Sequence, residues 1–196
     1  IPWQGDVFFL IPGYAVVMEL LPTLRPGALL VVCAPHAARE PVSRLAAELA
    51  LQGSVTVLDG GNRFQPYRVA QILRQKTVDV NSATKRIFIR RAFTCYQMLA
   101  LLEGTPSLRQ PYILLDLLAT FYDDHVSAHE ARRLLDCCLR QVERLSQFAP
   151  VVVSLAPPLV TERAFLVEMV CARAEQVLTQ DVPTPAITQP PLFTDH

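Results

Sequence analysis

The stretch Val55–Val69, VTVLDGGNRFQPYRV, decides the fold class, because it shows a buried strand passing through a short turn into a helix. The apolar run of residues 54–58 predicts a strand buried on both faces. Asp59 and the pair Gly60-Gly61 follow it, and Pro66 is well suited to the first turn of a helix. In α/β proteins, strand ends of this kind lie at the sheet edge where ligands bind. The stretch therefore predicts a parallel sheet and a candidate site, although only one carboxylate is present.

The rest of the chain repeats this alternation of apolar strands and amphipathic helices. Strands separated by helices of this length indicate βαβ units, so we expect an α/β fold in three layers, with a mainly parallel sheet between two layers of helices. We expect one domain over residues 1–181, with its core at about 22–157. The predicted strands are 28–33, 54–58, 86–90, 112–116 and 150–155, and the predicted helices are about 41–52, 66–74, 94–103 and 127–148.

Both ends of the chain are less regular than its centre. In residues 1–25, an aromatic N-terminal segment, we expect an edge strand at Val7–Ile11 and a short helix at Tyr14–Leu21. Near the other end, a helix is predicted from about 163 to 179, and the proline-rich residues 182–196 predict an extended tail.

Composition excludes several classes of protein. Of the 196 residues, 51% are hydrophobic and 18% charged, which excludes wholesale disorder. The 18 basic and 18 acidic residues cancel, so no global attraction to nucleic acid or to an anionic membrane is expected. No apolar run is long enough to span a bilayer, and no signal peptide is predicted. The 5 cysteines contain no C-x-x-C pair, which favours free thiols in the reducing cytoplasm.

The segment after the first predicted strand, Ala34–Pro41, stands where a phosphate-binding loop would lie. Such a loop needs glycines to expose backbone N–H groups, a lysine for the terminal phosphates, and a Ser or Thr for Mg²⁺. APHAAREP contains none of these residue types, and its two prolines lack N–H donors. Ordinary triphosphate binding is therefore not expected.

The order of these elements resembles the ATPase core of the RecA superfamily, most closely the archaeal and eukaryotic recombinases and their paralogues. LDGGNRFQPYRV (58–69) is similar to the family's I-D-T-E-G-x-F-x-P-E-R-[IL]. The resemblance also rests on LRPGALLVV (24–32), RAFTCYQ (91–97) and YILLD (112–116) with Phe121-Tyr122. It implies a RecA-like P-loop NTPase fold.

The departures from the family pattern imply an inactive ATPase without a catalytic residue. Arg39 or Glu40 replaces the phosphate-binding lysine, Gly61 replaces the glutamate that activates water, and Ser154–Pro157 replaces the polar nucleotide sensor. Only Asp116 is retained, which matches the family's aspartate that helps to hold Mg²⁺. Phosphoryl transfer depends on these groups together, so ATP and Mg²⁺ are not expected as cofactors. The vestigial nucleotide site comprises His36, Arg39, Glu40, Asp59, Gly61 and Asp116.

The leading hypothesis is an accessory or regulatory paralogue in DNA recombination or repair that acts through protein contacts or self-association. The resemblance implies that an aromatic residue upstream of the core docks on a neighbouring subunit as an added strand. The candidates here are Trp3, Phe8, Phe9 and Tyr14, although the cluster could instead fold back on the core.

Three alternatives to this hypothesis remain: nucleotide binding, DNA binding and metal binding. A nucleotide-binding or weakly active member would use a nonstandard loop with Arg39 and Asp116. A DNA-binding module would use the basic surface between Arg63 and Arg91, with Arg63, Arg86 and Arg90 as contacts. His125 and His129 have the i, i+4 spacing of two metal ligands on a helix, and Asp59 with Asp116 is a second candidate metal pair. Structural roles are the simpler reading for both pairs.

Overall fold

The computed structural model of the protein describes residues 17, 20–157 and 161–179. Its centre is a sheet of six parallel strands in the order β3-β2-β4-β5-β1-β6. The strands are β1 (Leu29–Cys33), β2 (Val55–Asp59), β3 (Ile87–Arg91), β4 (Tyr112–Leu115), β5 (Val151–Leu155) and β6 (Gln176–Thr179). Between the strands and after β5 lie the α-helices α1 (Arg39–Gln52), α2 (Pro66–Arg74), α3 (Val80–Lys85), α4 (Cys95–Glu103), α5 (Ala128–Ser146) and α6 (Ala164–Cys171). Short 3-10 turns cover Pro35–Ala38, Leu117–Phe121 and Thr161–Arg163, and residues 20–23 are helical.

Alternating side chains of the central strands build two cores, one on each face of the sheet. Leu30 and Val32 of β1 face the core formed with α1, α2 and α3. Leu29 and Val31 of the same strand face the core formed with α4, α5 and α6. A strand buried on both faces needs an apolar side chain at every position, which explains the unbroken apolar runs in the sequence. The predicted α/β class, with a parallel sheet between helices, is confirmed.

Two elements differ from the sequence-based expectation. The predicted helix up to 179 is wrong beyond Cys171, because the chain turns at residues 172–173 and then adds β6 alongside β1. The helix α3 was not expected. Its N-terminus is capped by the Asp79 carboxylate, which accepts a hydrogen bond from the Ser82 N–H at 3.1 Å.

Several expectations fall on parts of the chain that the structure does not describe. The strand at Val7–Ile11, the aromatic residues Trp3, Phe8, Phe9 and Tyr14, and the tail 182–196 lie outside the described residues. Within the described part of the chain, no helix combines the length and the apolar character needed to cross a bilayer.

Candidate functional site

The carboxyl ends of β1, β2, β4 and β5 meet at one edge of the sheet and bring three of the vestigial-site residues together. Asp59 at the end of β2 lies in register with Leu115 of β4, and Asp116 follows directly. The Gly60 N–H donates to the Leu115 carbonyl at 2.9 Å, so Gly61 also lies at this edge. The predicted convergence of Asp59, Gly61 and Asp116 follows from the parallel order of the strands.

Asp59 is fully buried and organises the turn that follows β2. Its Oδ1 accepts a hydrogen bond from the Arg63 N–H at 3.0 Å, and its Oδ2 accepts one from the Phe64 N–H at 3.0 Å. Arg91 adds an ion pair, with its Nε 3.3 Å from Asp59 Oδ2, and donates to the Phe64 carbonyl at 3.3 Å. These hydrogen bonds hold the turn after β2 against the end of the strand.

Asp116 is only 1% exposed and points toward the same turn. The Arg63 Nε donates to its Oδ2 at 2.7 Å, while Oδ1 is buried and has no hydrogen-bond partner. A Cβ atom at Gly61 would lie 2.4 Å from Asp116 Oδ2 and 2.8 Å from Asp116 Cβ and Cγ. At the position where the family pattern has its glutamate, a side chain would therefore clash with Asp116 unless Asp116 moved.

The turn after β2 keeps its shape through Asn62, which aligns with a glycine of the family pattern. Asn62 has a φ of +52°, in the left-handed region that favours glycine and tolerates asparagine. Asn62 therefore supplies the left-handed backbone that this turn needs.

The loop after β1 does not present a phosphate cradle. His36, Ala37 and Ala38 have φ values of 53°, 54° and 51°, a strained run for residues other than glycine. The Ala37 N–H donates to the Ala34 carbonyl at 3.0 Å, and the Arg39 N–H donates to the His36 carbonyl. Pro35 has no N–H, so the loop uses much of its donor capacity internally.

Arg39 and Glu40, at the start of α1, line an open groove whose other wall is residues 64–68 and Gln71. Glu40 accepts hydrogen bonds from Arg68 at 2.9 and 3.2 Å, and Arg44 lies 3.4 Å away. The Arg68 hydrogen bond is the largest cause that lowers the pKa of Glu40 below its usual value. Glu40 therefore neutralises part of the positive charge that Arg39 and Arg68 give to the groove.

The end of β5, where the family pattern has a polar sensor, takes part in two hydrogen bonds within the protein. The Ser154 hydroxyl is buried and accepts a hydrogen bond from the Asp116 N–H at 3.0 Å. The Tyr122 hydroxyl donates to the Ala156 carbonyl at 3.1 Å, and burial raises the pKa of Tyr122.

Of the three arginines proposed to contact DNA, two also make contacts within the protein. Arg63 binds Asp116, and Arg86 donates to the carbonyls of Ala50 and Leu51 at 3.2 and 3.3 Å, at the end of α1. Arg90 is exposed, and its guanidinium makes no hydrogen bond or ion pair with another described residue.

The histidine pair does not have the helical geometry that metal binding would need. Helix α5 begins at Ala128 with Ser127 as its cap, so His129 is helical and His125 lies in the preceding turn. The two imidazoles would share a helix face only if both residues were helical, and His125 lies before the Ser127 cap. No group of three or more His, Cys, Asp or Glu side chains suited to a metal ion occurs among the described residues.

The edge strand β3 exposes aromatic side chains that the sequence reasoning did not select. Phe88 of β3 is 51% exposed, and Phe93 and Tyr96 after it are 66% and 55% exposed. The alternation along β3 could have indicated this exposure. Ile87 and Ile89 pack on the core, whereas Phe88 and Arg90 point to the other face. In the described part of the chain, β3 pairs only with β2, so its other backbone edge has no strand partner.

Comparison with known proteins does not assign the chain to a family. No model of a protein family matches it, and a search of curated proteins finds no match.

Proposed function

We propose that this protein is a RecA-like domain that does not hydrolyse ATP and acts through protein contacts, as an accessory or regulatory paralogue in DNA recombination or repair. The observation that carries the proposal is the closure of the strand-end site. Asp116, the one retained magnesium ligand of the family pattern, is paired with Arg63 and fills the space at Gly61. The four sequence segments that resemble the family supply the RecA assignment, and the parallel sheet agrees with it.

Three features of the site support the proposed absence of catalysis. A side chain at position 61 would clash with the Asp116 side chain, the N–H groups of Ala37 and Arg39 are bonded within the loop after β1, and Glu40 neutralises part of the positive charge of the groove. Phosphoryl transfer needs positioned cations and donors around the phosphates, and these features weaken that supply.

The β3 edge is the surface that we assign to the protein contacts. An unpaired parallel edge strand with an exposed aromatic side chain is suited to accept an extended segment of another chain, either a partner or a second copy. Arg90 beside Phe88 favours a segment that carries acidic residues. The 5 unpaired cysteines agree with a reducing compartment, and we place the protein in the cytoplasm.

Sedimentation velocity of the full chain, alone and mixed with an active RecA-type recombinase, tests the contact. We expect a complex in at least one of the two experiments, and we expect Phe88→Asp to weaken it tenfold or more. The matched control is Val78→Asp, because Val78 is a fully exposed apolar residue in the loop before α3. A monomeric protein that binds no recombinase, or equal behaviour of the two variants, would contradict the proposed contact.

An ATPase assay tests the other half of the proposal. No phosphate release above the buffer blank is expected, with an active recombinase as the positive control. Turnover that disappears in the Asp116→Asn variant would overturn it.

A further inference from the structure

The carboxylate of Asp116 is buried, so its negative charge must be compensated by other groups of the protein. With 1% of its surface exposed, Asp116 has lost almost all contact with water. An ionised carboxylate without a partner is very unfavourable in such a place, so a cation or several donors must compensate it.

The turn after β2 places the Arg63 guanidinium beside the Asp116 carboxylate. The Arg63 N–H and the Phe64 N–H are both fixed by Asp59, which holds the backbone of the turn against the end of β2. From this fixed position the Arg63 side chain reaches Asp116, with 2.7 Å between Nε and Oδ2. The absence of a Cβ at Gly61 lets the carboxylate approach the turn closely enough for this contact.

The compensation is incomplete in a way that resembles a cation site. Arg63 contacts only one carboxylate oxygen, and Oδ1 is buried without a partner. Carboxylate oxygens are among the ligands that hard divalent cations prefer.

We propose that the Arg63 guanidinium is a tethered cation that occupies a divalent-cation position at Asp116. The intact protein then needs no metal at this edge of the sheet, and removal of the guanidinium opens a weak site for Mg²⁺, Ca²⁺ or Mn²⁺ with oxygen ligands. This role of Arg63 follows from the contacts of Arg63, Asp116 and Gly61 and does not depend on the proposed partner contacts.

Thermal unfolding of the Arg63→Ala variant, in EDTA and in a series of MgCl₂, CaCl₂ and MnCl₂ concentrations, tests the proposal. In EDTA we expect the variant to melt about 5–10 °C below the wild type, because a buried carboxylate loses its partner. Divalent cation at ten times its dissociation constant should restore about 3–5 °C. Mn²⁺ binding, followed directly by electron paramagnetic resonance, should appear in the variant and be absent in the wild type.

Two further variants separate this role from a general loss of stability. Arg90→Ala removes an exposed arginine without a described partner, so neither its melting temperature nor its response to cations should change. Arg63→Ala combined with Asp116→Asn removes both charges and should fold without responding to cations. An Arg63→Ala chain that binds no Mn²⁺, or that stays unfolded in divalent cation, would overturn the proposal. So would a wild type that binds Mn²⁺ as tightly as the variant.

Discussion

Replacement of Gly61 by alanine adds one methyl group at the point where the site is closed. In the structure, that methyl would lie 2.4 Å from Asp116 Oδ2 and 2.8 Å from two Asp116 carbon atoms. Favourable contacts between carbon atoms begin near 3.5 Å, so Asp116 would have to move by about 1 Å. Asp116 has little freedom to move, because it is buried and its carboxylate is held by Arg63.

The free energy of the change can be estimated from two opposing effects. Overpacking of a tightly filled site costs about 1–3 kcal/mol, and the rigid surroundings place Gly61→Ala near the upper end. Alanine restricts the backbone of the unfolded chain more than glycine does, which stabilises the folded state by about 0.4–1 kcal/mol where the native backbone suits alanine. This gain applies here, because Gly61 is not among the residues with a positive φ. The net destabilisation is about 2 kcal/mol, which lowers the melting temperature by about 4–8 °C in a chain of this length.

Urea and thermal unfolding followed by far-UV circular dichroism would measure this effect, with Gly53→Ala as the matched control. A Cβ at Gly53 would meet no atom within 4 Å, and its φ of −179° is ordinary extended backbone. We therefore expect Gly53→Ala to unfold at or slightly above the wild-type temperature. If Gly61→Ala were as stable as Gly53→Ala, the reasoning that Asp116 closes this position would be refuted. Gly61→Glu should be destabilised further and should gain no ATPase activity.

Other changes test contacts away from this position. Arg144→Ala should destabilise the protein by about 1–3 kcal/mol in urea unfolding, because the guanidinium bonds to Ser107 Oγ, the Thr105 carbonyl and the Leu102 carbonyl at 2.6–3.0 Å. The exposed Arg140→Ala control should change stability by less than about 1 kcal/mol, and an equal effect of both would count against the prediction. Arg163→Ala should speed amide hydrogen exchange in residues 121–126, whose carbonyls at Phe121, Asp123 and Val126 accept from this buried arginine; unchanged exchange would contradict it. Stability should fall as the pH rises from 9 toward 11, because burial raises the pKa of Cys171 from 9.0 to about 11 and the unfolded chain releases its proton first. Cys171→Ala should show a shallower loss over the same range, and an identical pH dependence would argue against this origin.

The fold class could be predicted because its signals are local. Each of the five expected strands is an apolar run that ends at a turn or a carboxylate, and all five are found within one or two residues of their expected bounds. The strand β6 has no such signal, because it lies at an edge, is only four residues long and is stabilised by its pairing with β1. Short edge strands depend on tertiary contacts that a local pattern does not contain.

The candidate site could be predicted in its location but not in its contacts. The convergence of Asp59, Gly61 and Asp116 follows from their positions at the ends of parallel strands. The pair between Arg63 and Asp116 joins residues 53 positions apart, and it depends on the register of β2 against β4. In the sequence, Arg63 was one of several basic residues, and nothing local distinguished it from Arg90. The left-handed backbone of His36, Ala37 and Ala38 could not be predicted from the sequence either, because none of these residues favours that conformation.

Equilibrium dialysis of the full chain against labelled ATP, with and without Mg²⁺, tests the central claim most directly. A strand-end site closed by Asp116 and Arg63, beside a loop without a phosphate cradle, predicts no bound nucleotide at millimolar ATP under either condition. One equivalent of ATP bound in the presence of Mg²⁺ and lost in Asp116→Asn would contradict the account.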